Sequence, residues 1–240
     1  MSEIDFTVGT IKPIEIYKEA WAMIKDQYWV IFAVTIIGLM IGGLIPIIIA
    51  GPMVAGIYLV LLRVYEGQRA DFGLLFKGFE FFGPTLILMV IVTVPIIVLV
   101  FVIYIPMIMM AFAGQRISES ELMWYMIGVF AVELVMTVIM VVVHSLLIFS
   151  FPLIVDKKLS AAASIKLSIR AVMKNLSGVA GFFGVGFVVV MVGYLMLCVG
   201  LYLVLPLVFA ANVVLYRKVF PSKTPPIDVP PASGAYRFNQ

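Results

Sequence analysis

Four long apolar stretches are the feature that most constrains what this chain can fold into. They comprise residues 29–62, 84–113, 123–155 and 179–216. Glu133 and His144, both in the third stretch, are their only acidic or basic side chains. A helix needs about 20 apolar residues to cross the hydrocarbon core of a bilayer. Since every stretch exceeds that length, we predict a polytopic membrane protein of the all-α class.

The lengths of the stretches predict six transmembrane helices in three hairpins. The first and last stretches are each long enough for two crossings, with turns expected near Pro46 and in residues 198–201. Pro95 and Pro106 predict kinks in the third helix. We place the six helices, within a transmembrane domain over residues 28–220, at about 28–45, 47–65, 84–113, 123–155, 179–198 and 200–217.

The basic residues predict the orientation. Six crossings put both termini on one side, and fifteen of the sixteen Lys and Arg residues then share that side, with Arg116 alone on the other. Cytoplasmic loops carry such an excess, so we expect both termini in the cytoplasm. The net charge of +3 is then explained by topology and lipid contact, without a nucleic-acid partner.

Polar segments between and beside the spans predict helices on the cytoplasmic surface. Residues 1–27 form an N-terminal amphipathic segment, in which Ile14, Tyr17, Trp21 and Ile24 are spaced as one helical stripe. Two further segments, 71–82 and 160–177, are expected as interfacial helices. Residues 221–240 contain five prolines and are expected to be a disordered cytoplasmic tail.

The second interfacial segment carries a basic face that suits anionic lipid headgroups. Its candidate headgroup contacts, together with two preceding lysines, are Lys157, Lys158, Lys166, Arg170 and Lys174. The alternative is that these residues serve only to orient the chain in the membrane.

Glu133, Thr137 and His144 define a possible polar site within the fourth predicted span. Glu133 and His144 are eleven residues apart, so they project from one helix face about 16 Å apart. Ionisable groups at membrane depth face a cavity or another helix. One interpretation is a proton or ion pathway. The other is hydrogen bonding between helices, with Asn212, Tyr104 or Tyr58 as partner.

The two ends of the chain resemble each other, which predicts an internal repeat. Residues 51–63 align with residues 205–217 at five of thirteen positions, including Pro52 with Pro206 and Arg63 with Arg217. A duplication favours a bundle in which the first and last hairpins flank the two middle helices.

The motifs of common enzymes and metal sites are absent from the sequence. One Cys and one His cannot assemble a Cys/His metal site, and the glycines at 181, 184 and 186 lie in an apolar run without the lysine of a nucleotide-binding loop. We therefore expect no catalysis, no metal and no cofactor.

Several sequence pieces together resemble a family. They are residues 51–56 running into Arg63-Val-Tyr-Glu-Gly67, then residues 74–79, and finally Phe151-Pro-Leu-Ile-Val-Asp156 leading to Asn175. This resembles the YciC-like bacterial inner-membrane proteins and the membrane domain attached to some glycerophosphoryl diester phosphodiesterases. The resemblance implies six helices in the bacterial cytoplasmic membrane. The phosphodiesterase barrel has no counterpart here, so hydrolase activity is not implied.

Two functions are consistent with these features. The first is a non-enzymatic scaffold or accessory subunit in envelope or lipid homeostasis, which contacts membrane lipids and either a membrane-protein partner or a second copy of the chain. The alternative is a small transporter or lipid-flipping protein that uses the polar face with Glu133 and His144.

Overall fold

The computed structural model describes residues 6–9, 11–112, 118–196 and 199–222. Within these residues the chain forms ten α-helices and no strand, which confirms the all-α prediction. Arg116, Cys198 and the predicted tail from residue 223 onward lie outside the described residues. The helices are α1 Pro13–Ile24, α2 Tyr28–Leu44, α3 Ala50–Tyr65, α4 Gly73–Lys77, α5 Phe82–Phe112, α6 Glu119–Leu146, α7 Ser150–Lys157, α8 Ala161–Lys174, α9 Leu176–Leu195 and α10 Val199–Val219.

Five helical segments are long and apolar enough to cross a membrane, which is consistent with a multi-pass membrane protein. Some combine neighbouring helices: α1 runs into α2 through the 3₁₀ turn Lys25–Gln27, and α4 runs into α5 through Gly78–Phe81. The segments are Pro13–Leu44, Gly73–Ile108, Ser120–Lys157, Leu176–Leu195 and Val199–Val219. The second predicted span corresponds to α3, which has 16 residues and is therefore about 24 Å long.

The centre of the bundle is formed by α3 and α10, which pack against each other. Both helices are apolar around most of their circumference, as expected of helices buried on all sides. Their fully buried side chains include Met53, Ile57 and Leu61 on α3 and Leu215 and Tyr216 on α10. Helix α2 packs along α3, helix α9 along α10, and α1 crosses α10 and the start of α9.

Helix α1 buries a face that is only partly the predicted one. Tyr17 and Ile24 are buried as expected, but Ile14 is 62% exposed and Trp21 is 49% exposed. Ile16 and Ala20 are instead fully buried on the inner face of α1, which packs on α10 and α9. The predicted stripe counted only large apolar groups, whereas close packing of α1 against α10 selects the side with the small Ala20.

Backbone contact between α3 and the segment after it depends on two glycines. A Cβ atom at Gly56 would overlap the carbonyl oxygen of Leu75, and one at Gly78 would overlap the carbonyl oxygen of Pro52. Since only glycine lacks a Cβ atom, these positions allow α4 and the following 3₁₀ turn to lie directly on α3. The predicted interfacial segment 71–82 is therefore held against the core by main-chain contact.

Helices α5 and α6 form a hairpin at the edge of the bundle. Helix α5 packs mainly on α3 and makes smaller contacts with α6, α7 and α8. The most apolar windows of the α5 and α6 segments are 6% and 0% buried. The expectation that the first and last hairpins flank these two helices is wrong, because α3 and α10 pack on each other directly.

The fourth predicted span is not one continuous helix. Helix α6 begins with a capping box, in which Ser118 Oγ accepts from the Glu121 backbone N–H and Glu121 Oε2 accepts from the Ser118 N–H. It ends at Leu146, and a turn over residues 147–149 leads into α7. Ser168 of α8 joins both sides of this break, since its Oγ donates to the Leu146 carbonyl and accepts from the Phe149 N–H. Helix α8 lies within the second predicted interfacial segment, 160–177.

We expect Gly56→Ala to destabilise the protein by about 1–3 kcal/mol, because the added methyl group meets backbone atoms that cannot move aside. Thermal unfolding in detergent, followed by tryptophan fluorescence, measures the change. Gly184→Ala on α9 is the matched control, since a Cβ atom there has no neighbour within 4 Å. Equal unfolding temperatures for the two variants would contradict the proposed backbone contact.

Candidate functional site

A cluster of charges lies where α3, α7 and α10 end. The guanidinium of Arg217 pairs twice with Asp156, at 3.0 Å from Nη2 to Oδ1 and 3.1 Å from Nη1 to Oδ2. Its Nη2 also lies 2.9 Å from Glu66 Oε1. The Lys157 ammonium lies 3.0 Å from Asp156 Oδ2. The Arg217 side chain is 2% exposed, so its charge depends on these carboxylates for compensation.

Aromatic residues enclose the charge cluster. Tyr216 is fully buried, and its hydroxyl donates to Asp156 Oδ2 at 2.6 Å. Its ring stacks on Phe220 at 5.3 Å and lies 6.5 Å from the ring of Phe149. The Arg217 guanidinium lies 5.5 Å from the centre of the Tyr216 ring, within the range of a cation–π contact. This environment lowers the local dielectric and strengthens the Arg217–Asp156 pair.

Asn212, a predicted site residue, lies between helices about one and a half turns before Arg217. Its Nδ2 donates to the Tyr58 hydroxyl at 2.7 Å and to the Ile148 carbonyl at 3.3 Å. These bonds join α10 to α3 and to the turn that ends α6. Asn212 Oδ1 is buried and has no hydrogen-bond partner among the described residues.

Beside Asn212 lies a cavity of about 300 Å³, which we call the Asn212 cavity. Its lining comes from α3, α5, α6, α7, α9 and α10 and is mostly apolar, with Tyr58, His144 and Asn212 as its polar side chains. This size and chemistry are typical of a site for a small, largely apolar ligand. The remaining lining residues are Leu88, Met89, Val92, Leu147, Ile148, Phe151, Phe182, Phe183, Val208 and Phe209.

The structure brings only some of the predicted polar residues together. His144 lines the Asn212 cavity with Asn212, and its Nδ1 lies 2.9 Å from the Met140 carbonyl of the preceding turn. Glu133 and Thr137 are exposed at earlier positions of α6, about three and two turns before His144. Within the described part of the chain, Glu133 makes no hydrogen bond or ion pair, and neither it nor His144 bonds to Tyr104, Tyr58 or Asn212.

The predicted headgroup residues fall into two groups. Lys166, Arg170 and Lys174 are exposed along one side of α8, whose opposite side buries Ser164, Ser168 and Ala171. Lys158 is exposed at the end of α7, where it adopts a left-handed backbone conformation with φ of 51°. Lys157 is instead half-buried and paired with Asp156. Four of the five predicted basic residues therefore face outward.

Asp156 and Arg217 are central residues that the sequence does not single out as site candidates. Asp156 and Arg217 each directly follow an apolar stretch. A charged residue at such a position indicates only the end of a membrane span. Their pairing required the three-dimensional arrangement of α7 and α10. The sequence suggests Tyr58 as a partner of Glu133 or His144, whereas in the structure its hydroxyl accepts from Asn212. Among the described residues, no group of three His, Cys, Asp or Glu side chains is placed to hold a metal ion.

Comparison with known proteins gives no match: no family model matches this chain, and neither a curated protein nor a solved structure shows significant similarity to it.

We expect Arg217→Met to destabilise the protein by about 3 kcal/mol, because Asp156 then keeps a partly buried carboxylate without its bidentate partner. Thermal unfolding of purified protein measures the loss. Arg63→Met is the control: Arg63 aligns with Arg217 in the proposed repeat but is exposed at the end of α3.

The double variant Asp156→Asn with Arg217→Met tests the same pair. If the pair is coupled, the double variant is less destabilised than the sum of the two single variants. Additive effects would contradict direct coupling between these side chains.

Proposed function

We propose that this protein is a non-enzymatic scaffold or accessory subunit in envelope or lipid homeostasis, located in the bacterial cytoplasmic membrane. The observation that carries the proposal is the division of the molecule into two parts. One part is a packed bundle centred on α3 and α10. The other is the α5–α6 hairpin, which leaves long apolar surfaces free to contact lipid or another membrane protein.

Glu133 favours a protein partner on the hairpin. It lies in the middle of α6, where Phe130 and Val135 are exposed around it, and no described residue satisfies its carboxylate. A carboxylate at membrane depth is costly unless another group donates to it. We therefore assign the face of α6 around Glu133 to a transmembrane helix of a partner that carries a hydrogen-bond donor at that depth.

The proposed orientation puts six spans in three hairpins and both termini in the cytoplasm. The charge cluster, α8 and the start of α1 then lie on the cytoplasmic side, where anionic lipids attract basic residues. Lys158, Lys166, Arg170 and Lys174 are the proposed headgroup contacts. The family resemblance remains part of the proposal, and its sequence pieces include Glu66 and Asp156 of the charge cluster.

A transporter or lipid-flipping protein is the second candidate. The Asn212 cavity favours it, since it reaches from the bundle core to His144. The position of Glu133 argues against a continuous pathway, because Glu133 does not line this cavity.

Cysteine labelling tests the orientation. With Cys198→Ser as background, we expect Ser120→Cys at the start of α6 to react with a membrane-impermeant maleimide on intact cells. Ser177→Cys, at the start of α9, should react only after the membrane is opened. Both serines are exposed, so accessibility within the fold does not separate them. The reverse pattern would overturn the orientation.

Photocrosslinking tests the scaffold role. A photoreactive phenylalanine analogue replacing Phe130, 66% exposed on α6, should give a discrete protein crosslink in intact membranes. We expect Glu133→Leu to reduce that crosslink at least tenfold, because the partner loses its hydrogen-bond acceptor. The matched control is the same analogue at Phe187, 64% exposed on α9.

Two results would count against this role. One is that the photoreactive analogue at position 130 gives no more protein crosslinks than the analogue at position 187, or gives none. The other is saturable lipid or solute flux in liposomes of the purified protein that falls with Glu133→Gln, which would favour the transporter instead.

A further inference from the structure

We propose that the Asn212 cavity binds the acyl chain of a neutral lipid that carries a free hydroxyl group, with this hydroxyl donating to Asn212. The inference goes beyond the scaffold role and does not depend on a partner at Glu133. It rests on the shape of the cavity, on its lining and on which hydrogen-bonding atoms remain free inside it.

The walls of the cavity suit a hydrocarbon chain. Four phenylalanines and several aliphatic side chains form them, and Leu88 and Phe182 are almost completely buried there. A volume of 300 Å³ equals about ten water-sized volumes of about 30 Å³, enough for a segment of a chain. No lysine or arginine lines the cavity, so nothing there compensates a phosphate or a carboxylate.

Acceptors and one donor remain free in the cavity. The Tyr58 hydroxyl accepts from Asn212 Nδ2, so its own proton has no acceptor among the described residues. The Ile148 carbonyl can only accept, so the Nδ2 side of the Asn212 amide must face it. This leaves Asn212 Oδ1 as a buried acceptor without a donor. A buried acceptor without a donor is energetically unfavourable, and a ligand hydroxyl would supply the missing proton.

His144 adds a second acceptor at the outer side of the cavity. The bond between its Nδ1 and the Met140 carbonyl requires the proton on Nδ1, which in the neutral ring leaves Nε2 as an acceptor. A lipid hydroxyl can donate its proton to one of these acceptors and also accept from the Tyr58 hydroxyl, whereas an ester oxygen can only accept. The cavity therefore favours a group that can both donate and accept a hydrogen bond.

The helix register sets the direction of the bound chain. Asn212 lies five residues before Arg217, about 7.5 Å along α10, and Val208 lies a further turn from the charge cluster. The hydroxyl therefore sits on the side of the charge cluster. The chain extends past Val208 between the lining residues of α5 and α9. His144 is exposed, which gives the ligand a lateral entrance beside α6.

Competition for a photoreactive, clickable diacylglycerol tests this site in liposomes of the full-length protein. We expect dioleoylglycerol to displace the probe at a concentration at least tenfold lower than its 3-acetyl ester, which has the same chains but no hydroxyl. Dioleoylphosphatidic acid, which is anionic, should compete as poorly as the acetyl ester. Equal competition by dioleoylglycerol and either of these lipids would overturn the proposal.

Two further competitors identify the source of the hydroxyl. Stronger competition by dioleoylglycerol than by oleyl alcohol supports a glycerolipid ligand. Stronger competition by oleyl alcohol or monooleoylglycerol supports a single-chain ligand that uses the same acceptor.

Variants place the ligand in the cavity. Val208→Trp fills the space beside Asn212 and should reduce photolabelling at least tenfold. Val188→Trp on α9 is the control: Val188 is 60% exposed, and its replacement should not change photolabelling. Asn212→Leu should remove the preference for dioleoylglycerol over the acetyl ester.

Since Asn212 also joins α3 to α10, thermal unfolding is measured for each variant. His144→Leu, which leaves those bonds intact, should reduce the same preference. Unchanged labelling of a folded Val208→Trp protein would refute the assignment.

Discussion

The pairing of Arg217 with Asp156 and Glu66 determines how the ends of three helices meet. A guanidinium that is 2% exposed is tolerated only where carboxylates surround it, so α3, α7 and α10 must end at the same level. Tyr216 completes the arrangement by donating to Asp156. Asn212 of α10 then lies against α3 and the end of α6, and the cavity forms beside it.

The packed part and the hairpin follow different physical rules. Around α3, glycines bring backbones together, and most side chains have protein neighbours on all sides. Along α5 and α6, apolar side chains are exposed, and the hydrogen bonds within each helix satisfy the backbone without help from neighbours. A chain built in this way holds a stable core while presenting a second surface for other molecules, which is the basis of the proposed scaffold role.

The helical class and most helix positions could be predicted from the sequence, because long charge-free runs admit few alternatives. Helix α2 at Tyr28–Leu44 lies within one residue of its predicted bounds. The turn at residues 147–149 is missing from the prediction, although Pro152 in the first turn of α7 marks it, because it cannot donate to the Ile148 carbonyl. The role of Ser168, some twenty residues away, could not be predicted. The partners of Asn212 and Arg217 also depend on contacts between segments distant in the chain. The sequence shows that Glu133 and His144 are ionisable groups within a span. It does not show that, of these two, His144 alone lines the Asn212 cavity.

The contact of Gly78 with Pro52 has a mechanical consequence for the hairpin. It fixes the foot of α5, and Thr85, which is fully buried and bonded to the Phe81 carbonyl, extends this fixed region by another turn. Pro95 is the next weak point, because it lacks an N–H and interrupts the helix hydrogen bonds. Helix α5 therefore has an anchored base, and Pro95 is the first position beyond this base at which its hydrogen bonding is interrupted. Bending there would move the outer half of α5, while Leu88, Met89 and Val92, which line the Asn212 cavity, stay with the anchored base.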